Sequence, residues 1–196
     1  MASSPVEICN SALVKVGAAR INSLSDPTKS AKICNEQYNK LRKKLLRIHP
    51  WNFAKRSISL AATGNTPVFS DLYTNEFAIP SNILRILETN LSTGTRWVLE
   101  NSPVTNKQVI LADATTVKLI TLIDMTDTTV FTPDFDEVLS LLIAQDLAYS
   151  IVQSISLSKE IKSEYRFELS QARSFDSQER GSLQEVEADA WIDVRN

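Results

Sequence analysis

Between residues 6 and 16, Cys9, Ala12, Leu13 and Val16 recur at helical spacing, and Gly17 follows as a stop. Asp26-Pro27 supplies an N-cap and first-turn pair for a second helix. Along that helix Cys34, Tyr38, Leu41, Leu45 and Ile48 alternate by four and three, which makes one narrow apolar stripe. Lys40, Lys43, Lys44 and Arg47 fall on the opposite side, and Pro50 ends the run. From Asn52 the grain changes: Ile58 and Leu60 alternate with Ser57 and Ser59 until Thr63-Gly64-Asn65 breaks the pattern. Short apolar stretches follow at 76–79, 83–88, 96–99, 108–111 and 117–123. Ser92-Thr93-Gly94, Asn101-Ser102-Pro103 and Ala114-Thr115 separate some of them, a spacing that predicts an antiparallel meander of short strands.

Helical grain returns after Thr132-Pro133, where Asp134 and Glu137 are placed for a capping box. The helix from 135 to about 154 is apolar on nearly every side, through Val138, Leu139, Leu142, Ile143, Leu147, Ile151 and Val152. It must be covered all round, by its own fold or by neighbouring subunits. A short link at Ser156 leads to a fourth helix with Ile161, Tyr165, Leu169, Ala172 and Phe175 on one face, antiparallel to the third. After Gly181 the chain turns acidic and loses its period. The predicted fold is α+β. An antiparallel four-helix bundle (1–51 and 132–180) carries an antiparallel β-meander inserted between helices 2 and 3 (52–131), and an extended C-terminal tail (181–196) follows.

Composition narrows the function classes. The chain has 196 residues, 43% hydrophobic and 22% charged, which is the balance of a globular protein. No apolar run approaches the ~20 residues that cross a bilayer. Met1-Ala2-Ser3-Ser4-Pro5 lacks the basic start and apolar stretch of a secretory signal, so synthesis and assembly in the cytosol are expected. A net charge of −2 gives no general attraction to nucleic acid. Two cysteines are too few for a disulfide scaffold, and the four glycines are too scattered for a phosphate-cradling loop. No cofactor or metal is expected.

The candidate chemistry is sparse. His49, the single histidine, lacks a Gly-x-Ser-x-Gly or comparable context and reads as a helix C-terminal residue satisfying carbonyls beside Pro50. Cys9, Cys34 and His49 as metal ligands would need a fourth partner, and both cysteines lie on apolar stripes. The basic run Lys40, Arg42, Lys43, Lys44, Arg47 reads as a solvated face, with a contact to an acidic protein surface as the functional alternative. Trp51 and Phe53 fill the junction between bundle and sheet, and Trp97 on its strand is most simply core. Trp191 stands in an acidic stretch and packs either on another subunit or on its own chain; burial of such a ring contributes on the order of 2 kcal/mol. Asp146, amid the most apolar face of the third helix, reads as half of a buried ion pair with a neighbouring Arg or Lys.

Several words in the chain carry a family likeness. They are Asn10-Ser11-Ala12-Leu13-Val14-Lys15-Val16-Gly17, Ile21-Asn22-Ser23-Leu24, His49-Pro50-Trp51-Asn52-Phe53-Ala54 and Ser59-Leu60-Ala61. Later come Ile110-Leu111-Ala112-Asp113, Phe131-Thr132-Pro133-Asp134-Phe135 and Trp191-Ile192-Asp193-Val194-Arg195. Together they span nearly the whole chain in order, and the chain resembles the tail tubular protein A family, the head–tail adaptors of short-tailed bacteriophages. The resemblance implies a four-helix body with a β-rich insertion, assembled as a homo-oligomeric ring of about twelve copies by cyclic closure of one heterologous interface. It implies a portal protein above, a tail nozzle protein below, and a channel through which DNA passes without specific binding. On this reading Lys43, Lys44, Arg47, Trp191, Ile192 and Val194 are candidate contacts to a subunit or the portal. No membrane partner is expected.

Two other classes stay open. A virion-associated cell-wall hydrolase would need paired carboxylates in a cleft, for instance among Asp134, Asp136 and Glu137, although capping accounts for these. A small cytosolic protein-binding module is the third reading.

Overall fold

The computed structural model describes residues 4–92 and 94–179. The first helix, α1 (Pro5–Lys15), starts at a capping box: the Ser4 hydroxyl accepts from the Glu7 N–H, and the Glu7 carboxylate accepts from the Ser4 N–H. It ends at Gly17, whose φ of 69° lets the Ala18 N–H turn back to the Leu13 carbonyl at 2.9 Å. The second helix, α2 (Lys29–Ile48), begins later than Asp26-Pro27 suggests, because Thr28 is the cap and accepts from the Ala31 N–H. The Asp26 carboxylate is engaged by the N–H groups of Asn22 and Ser23 in the preceding loop. The same displacement occurs at α3 (Pro133–Ser150), where Thr132 rather than Asp134 is the cap and Pro133 takes the first position. Ser154 caps α4 (Ile155–Gln178).

Six strands lie between α2 and α3: β1 (Lys55–Ala61), β2 (Asn75–Ala78), β3 (Ile83–Thr89), β4 (Trp97–Asn101), β5 (Gln108–Ala112) and β6 (Thr116–Ile123). They form two antiparallel three-stranded sheets, ordered β1-β6-β3 and β2-β5-β4. Leu60, Phe77, Ile110, Val117 and Leu119 make a small core between the sheets. The Thr63 N–H donates to the Glu76 carbonyl at 2.8 Å, so the chain leaving β1 is tied to β2. At the opposite side β3 and β4 remain as edges, with a groove between them.

This arrangement corrects the expected fold. The α+β class, the four helices and the six strand positions agree with the chain's periodicity, but there is no antiparallel four-helix bundle bearing a β-meander. Among the described residues, only β4 and β5 are neighbours both in sequence and in a sheet. The physical reason lies in which strands are apolar on both faces: Val109–Ala112 of β5 are all buried, and β6 is buried along most of its length. Strands covered on both faces suit the central positions of a sheet. A meander would leave β6 with an unpaired edge, whereas here β5 and β6 are the central strands of the two sheets.

The helices, at the two ends of the chain, are organised around α3. It buries Phe135, Val138, Leu139, Leu142, Ile143 and Leu147, with α4 and α1 packed along it, α2 crossing less of it, and α1 barely meeting α2. The apolar surround of α3 is therefore met within the chain, together with Leu122 from the end of β6. Among the described residues no helix is long and apolar enough to cross a membrane.

Candidate functional site

The His-Pro-Trp-Asn-Phe-Ala word forms the joint between helices and strands. Trp51 is wholly buried, and its indole N–H donates to the Leu45 carbonyl at 3.0 Å, one of the end carbonyls of α2. Its ring stands edge-on to Phe135, with centroids 5.2 Å apart, and edge-on to His49 at 4.8 Å. Phe53 meets Phe135 at 5.0 Å and Phe131 at 5.4 Å. The word at 49–54 thus packs directly on the word at 131–135, two segments separated by the whole strand region. The indole and phenyl rings carry the apolar area of this joint.

On its outer side the joint is clasped by Asp176 from the last turns of α4. One Asp176 carboxylate oxygen lies 2.9 Å from His49 Nε2, and the other accepts from the Asn52 N–H at 2.9 Å. The Asn52 side-chain amide donates to the Asp176 carbonyl. Asp176 is 6% exposed. This corrects two expectations. His49 holds a carboxylate rather than helix carbonyls through its ring, and the buried face of α4 runs Ile161, Leu169, Ala172 and then Asp176, leaving Phe175 exposed. A step of four from Ala172 reaches position 176, but a carboxylate does not register as a core position in an apolar pattern. With both oxygens engaged by the joint, the histidine–aspartate pair is built to hold α4 against the α2 terminus.

Three of the other words also make contacts outside their own segment. The Asn10 side chain both donates to the Ile21 carbonyl, at 2.9 Å, and accepts from the Ile21 N–H, at 2.8 Å. The Asp113 carboxylate accepts from the Thr74 N–H at 3.0 Å, fixing the loop before β2.

The basic residues of α2 do not form one face. Arg42 is buried, and its guanidinium lies 2.7 Å from the Asp124 carboxylate, with Lys43 at 3.2 Å from the other oxygen. Arg42 therefore departs from the solvated reading of the run, because Asp124 emerges from β6 to meet it. Lys44, with Lys40, Lys162 and Arg166, lines a cleft between α2 and α4, and Arg47 lines the groove beside β3. The three candidate contacts Lys43, Lys44 and Arg47 thus face three different features. Asp146 is half-buried on the wall of the Lys40–Arg166 cleft, and its ion pairs within 4 Å number none among the described residues. Trp191, Ile192 and Val194 lie outside the described residues.

The Glu76 carboxyl and the Cys9 thiol are both shifted for structural reasons. Burial by itself would raise the Glu76 carboxyl, but Asn65, Ser102 and Thr63 around it outweigh this and hold it below the ordinary carboxylate range. The Asn65 amide and Thr63 hydroxyl donate to it at 2.7 and 3.0 Å. Contact with Cys34, and then burial, push the Cys9 thiol up, the opposite of what a reactive thiolate needs. His49, at the end of α2, is some 15 positions from Cys34, about 22 Å along a helix, so the three do not converge. Among the described residues no three His, Cys, Asp or Glu side chains are grouped to hold a metal ion.

The exposed apolar side chains concentrate elsewhere. Tyr149, Val152 and Ile155 crowd the turn between α3 and α4, Val68, Phe69 and Leu72 project from the β1–β2 connection, and Trp97 and Leu99 stand on β4. Trp97 is 42% exposed, which departs from the core position expected of it. No protein-family model matches the chain, and no curated protein matches it.

Proposed function

We propose that this chain is a structural subunit of a ring-shaped head–tail adaptor in a short-tailed bacteriophage. The ring joins the portal protein above to the tail nozzle protein below and continues the DNA channel between them. The observation that carries this reading is the ordered set of words from Asn10 to Arg195 that resembles the tail tubular protein A family. Two of these words, 49–54 and 131–135, pack on each other between α2, β1 and α3, and a stiff body of this kind suits a ring subunit.

In such a ring each copy presents one surface to the next, and a single heterologous contact repeated about twelve times closes on itself. The exposed apolar turn of Tyr149, Val152 and Ile155 supplies a surface of the kind a second copy covers. A net charge of −2 suits a channel through which DNA slides without being held. The subunit acts in the virion neck, after assembly in the host cytoplasm.

Electron microscopy of the purified protein, alone and mixed with the portal protein from the same genome, tests the reading. Rings formed alone, or a new collar on the portal, are the expected result. Dispersed monomers with bare portals at high concentration would overturn it in favour of a binding module unrelated to virions.

A further inference from the structure

We propose that the cleft between α2 and α4 is a docking site for an acidic, extended segment of a partner protein. The proposal stands apart from the adaptor reading, because it concerns the chemistry of the partner and not the particle it belongs to.

The cleft has a volume of about 450 Å³. Lys40 and Lys44 line it from α2, Lys162 and Arg166 from α4, and Gln145 and Asp146 from α3. All four cations are exposed, and none has an ion pair within 4 Å among the described residues. Asp146 is the one carboxylate of the lining, so four cations against it leave the cleft strongly positive. On each helix the two cations stand at i, i+4, which brings like charges onto adjacent turns. Such pairs cost helix stability where nothing compensates them. Both pairs nevertheless face the same cleft, along which the two helices run in the same direction. His49, nine residues after Lys40, meets Asp176, ten residues after Arg166.

Arg173 carries a further unmet group. Its Nε is buried and has no hydrogen-bond partner among the described residues. Burial raises the Tyr165 phenol and the Arg173 guanidinium opposes that shift, which sets Arg173 near a residue that lines the cleft. A buried guanidinium donor of this kind suits an anionic acceptor brought from outside.

The spacing and the lining favour a peptide over other anions. Four residues of helix separate Lys40 from Lys44, and Lys162 from Arg166, about 6 Å along each axis. In an extended chain every second side chain returns to the same side after about 6.6 Å. Successive carboxylates of such a chain therefore alternate between the α2 row and the α4 row, in step with both. A peptide also brings N–H donors. The hydrogen bonds that Ser158 and Ser150 make to Gln145 and Asp146 go to their main-chain carbonyls, and both side chains stay open among the described residues. The Asp146 carboxylate and the Gln145 amide oxygen can accept from a peptide, whereas a phosphodiester backbone presents acceptors alone and meets Asp146 with like charge.

Fluorescence anisotropy on the full chain tests the proposal, with fluorescein-labelled hexaglutamate as the probe at about 50 mM salt. Lys40→Gln/Lys44→Gln and Lys162→Gln/Arg166→Gln each remove one row, and Lys107→Gln/Lys118→Gln removes the same charge among the strands. The expected result is binding that weakens at least roughly fivefold in each cleft variant and less than about twofold in the control. Each cleft variant relieves a like-charge pair, so its thermal midpoint should hold or rise, and lost binding is then not lost folding. If one row proved necessary for folding, the other would decide. Absence of probe binding, or equal weakening in the control, would overturn the proposal. Tighter binding of hexathymidylate than of hexaglutamate, with the same dependence on the cleft cations, would assign the site to nucleic acid and overturn the protein partner.

Discussion

His49 Nε2 lies 2.9 Å from an Asp176 carboxylate oxygen, joining the end of α2 to the last turns of α4 across 127 residues of sequence. Because the other oxygen is bonded to the Asn52 backbone, Asp176 holds both the helix terminus and the chain that leaves it. Asp176→Ala would remove the carboxylate that the Asn52 N–H and the His49 ring both engage in a nearly dry site. We expect a loss of about 2–3 kcal/mol in urea unfolding, with His49→Ala costing less in the Asp176→Ala background than in the native protein. Full additivity of the two substitutions would show that the clasp is not a unit.

Arg42 and Lys43 are adjacent in sequence and share Asp124, but they differ in what surrounds them. The Arg42 side chain is 4% exposed and that of Lys43 is 52% exposed. Removing Arg42 takes the buried partner from a largely buried carboxylate and leaves it only the exposed Lys43, whereas removing Lys43 takes away a screened surface partner. Arg42→Leu should therefore cost about 3 kcal/mol or more and Lys43→Leu less than about 1 kcal/mol, read from denaturation midpoints. Equal costs would mean that the buried geometry contributes nothing special.

The hydrogen-bonded Glu76 carboxyl gives stability a dependence on acid. Its folded pKa lies below the ordinary value near 4.5, so on acidification the unfolded chain takes up the proton first. The stabilisation is full above that ordinary value and is lost as pH falls through the folded one. Stability curves of the native protein and Glu76→Gln, measured from pH about 7 to about 3, should therefore converge at the acid end. Parallel curves throughout would refute the assignment.

Gly17 terminates α1 with φ at 69°, and a Cβ built there meets nothing within 4 Å. Gly17→Ala thus isolates the backbone cost of the left-handed conformation. A loss of about 1 kcal/mol with unchanged circular dichroism is expected; a neutral substitution would mean that the helix end reorganises.

Local chemistry made much of this fold legible. The helix stripes, the stop at Gly17 and the apolar runs of the six strands report side-chain spacing along one element, and spacing needs no knowledge of the partner. The caps were less legible, because Asp26 and Asp134 compete with Thr28 and Thr132 a residue or two away and the choice depends on the surrounding loop. Clasps were not legible at all. Asp124 and Asp176 look like surface carboxylates until Arg42 and His49 arrive from distant segments. Strand order was equally hidden: apolarity marks β5 and β6 as strands, but their central places follow from satisfying both edges and both faces in three dimensions. Which segments are helical or extended, and which residues prefer to leave water, can be read along the chain, because those properties depend on sequence neighbours. Which strands pair, that α3 is the hub, and that the joint at Trp51 is locked from α4 emerge in three dimensions, because each depends on polar and apolar groups meeting across long sequence separations.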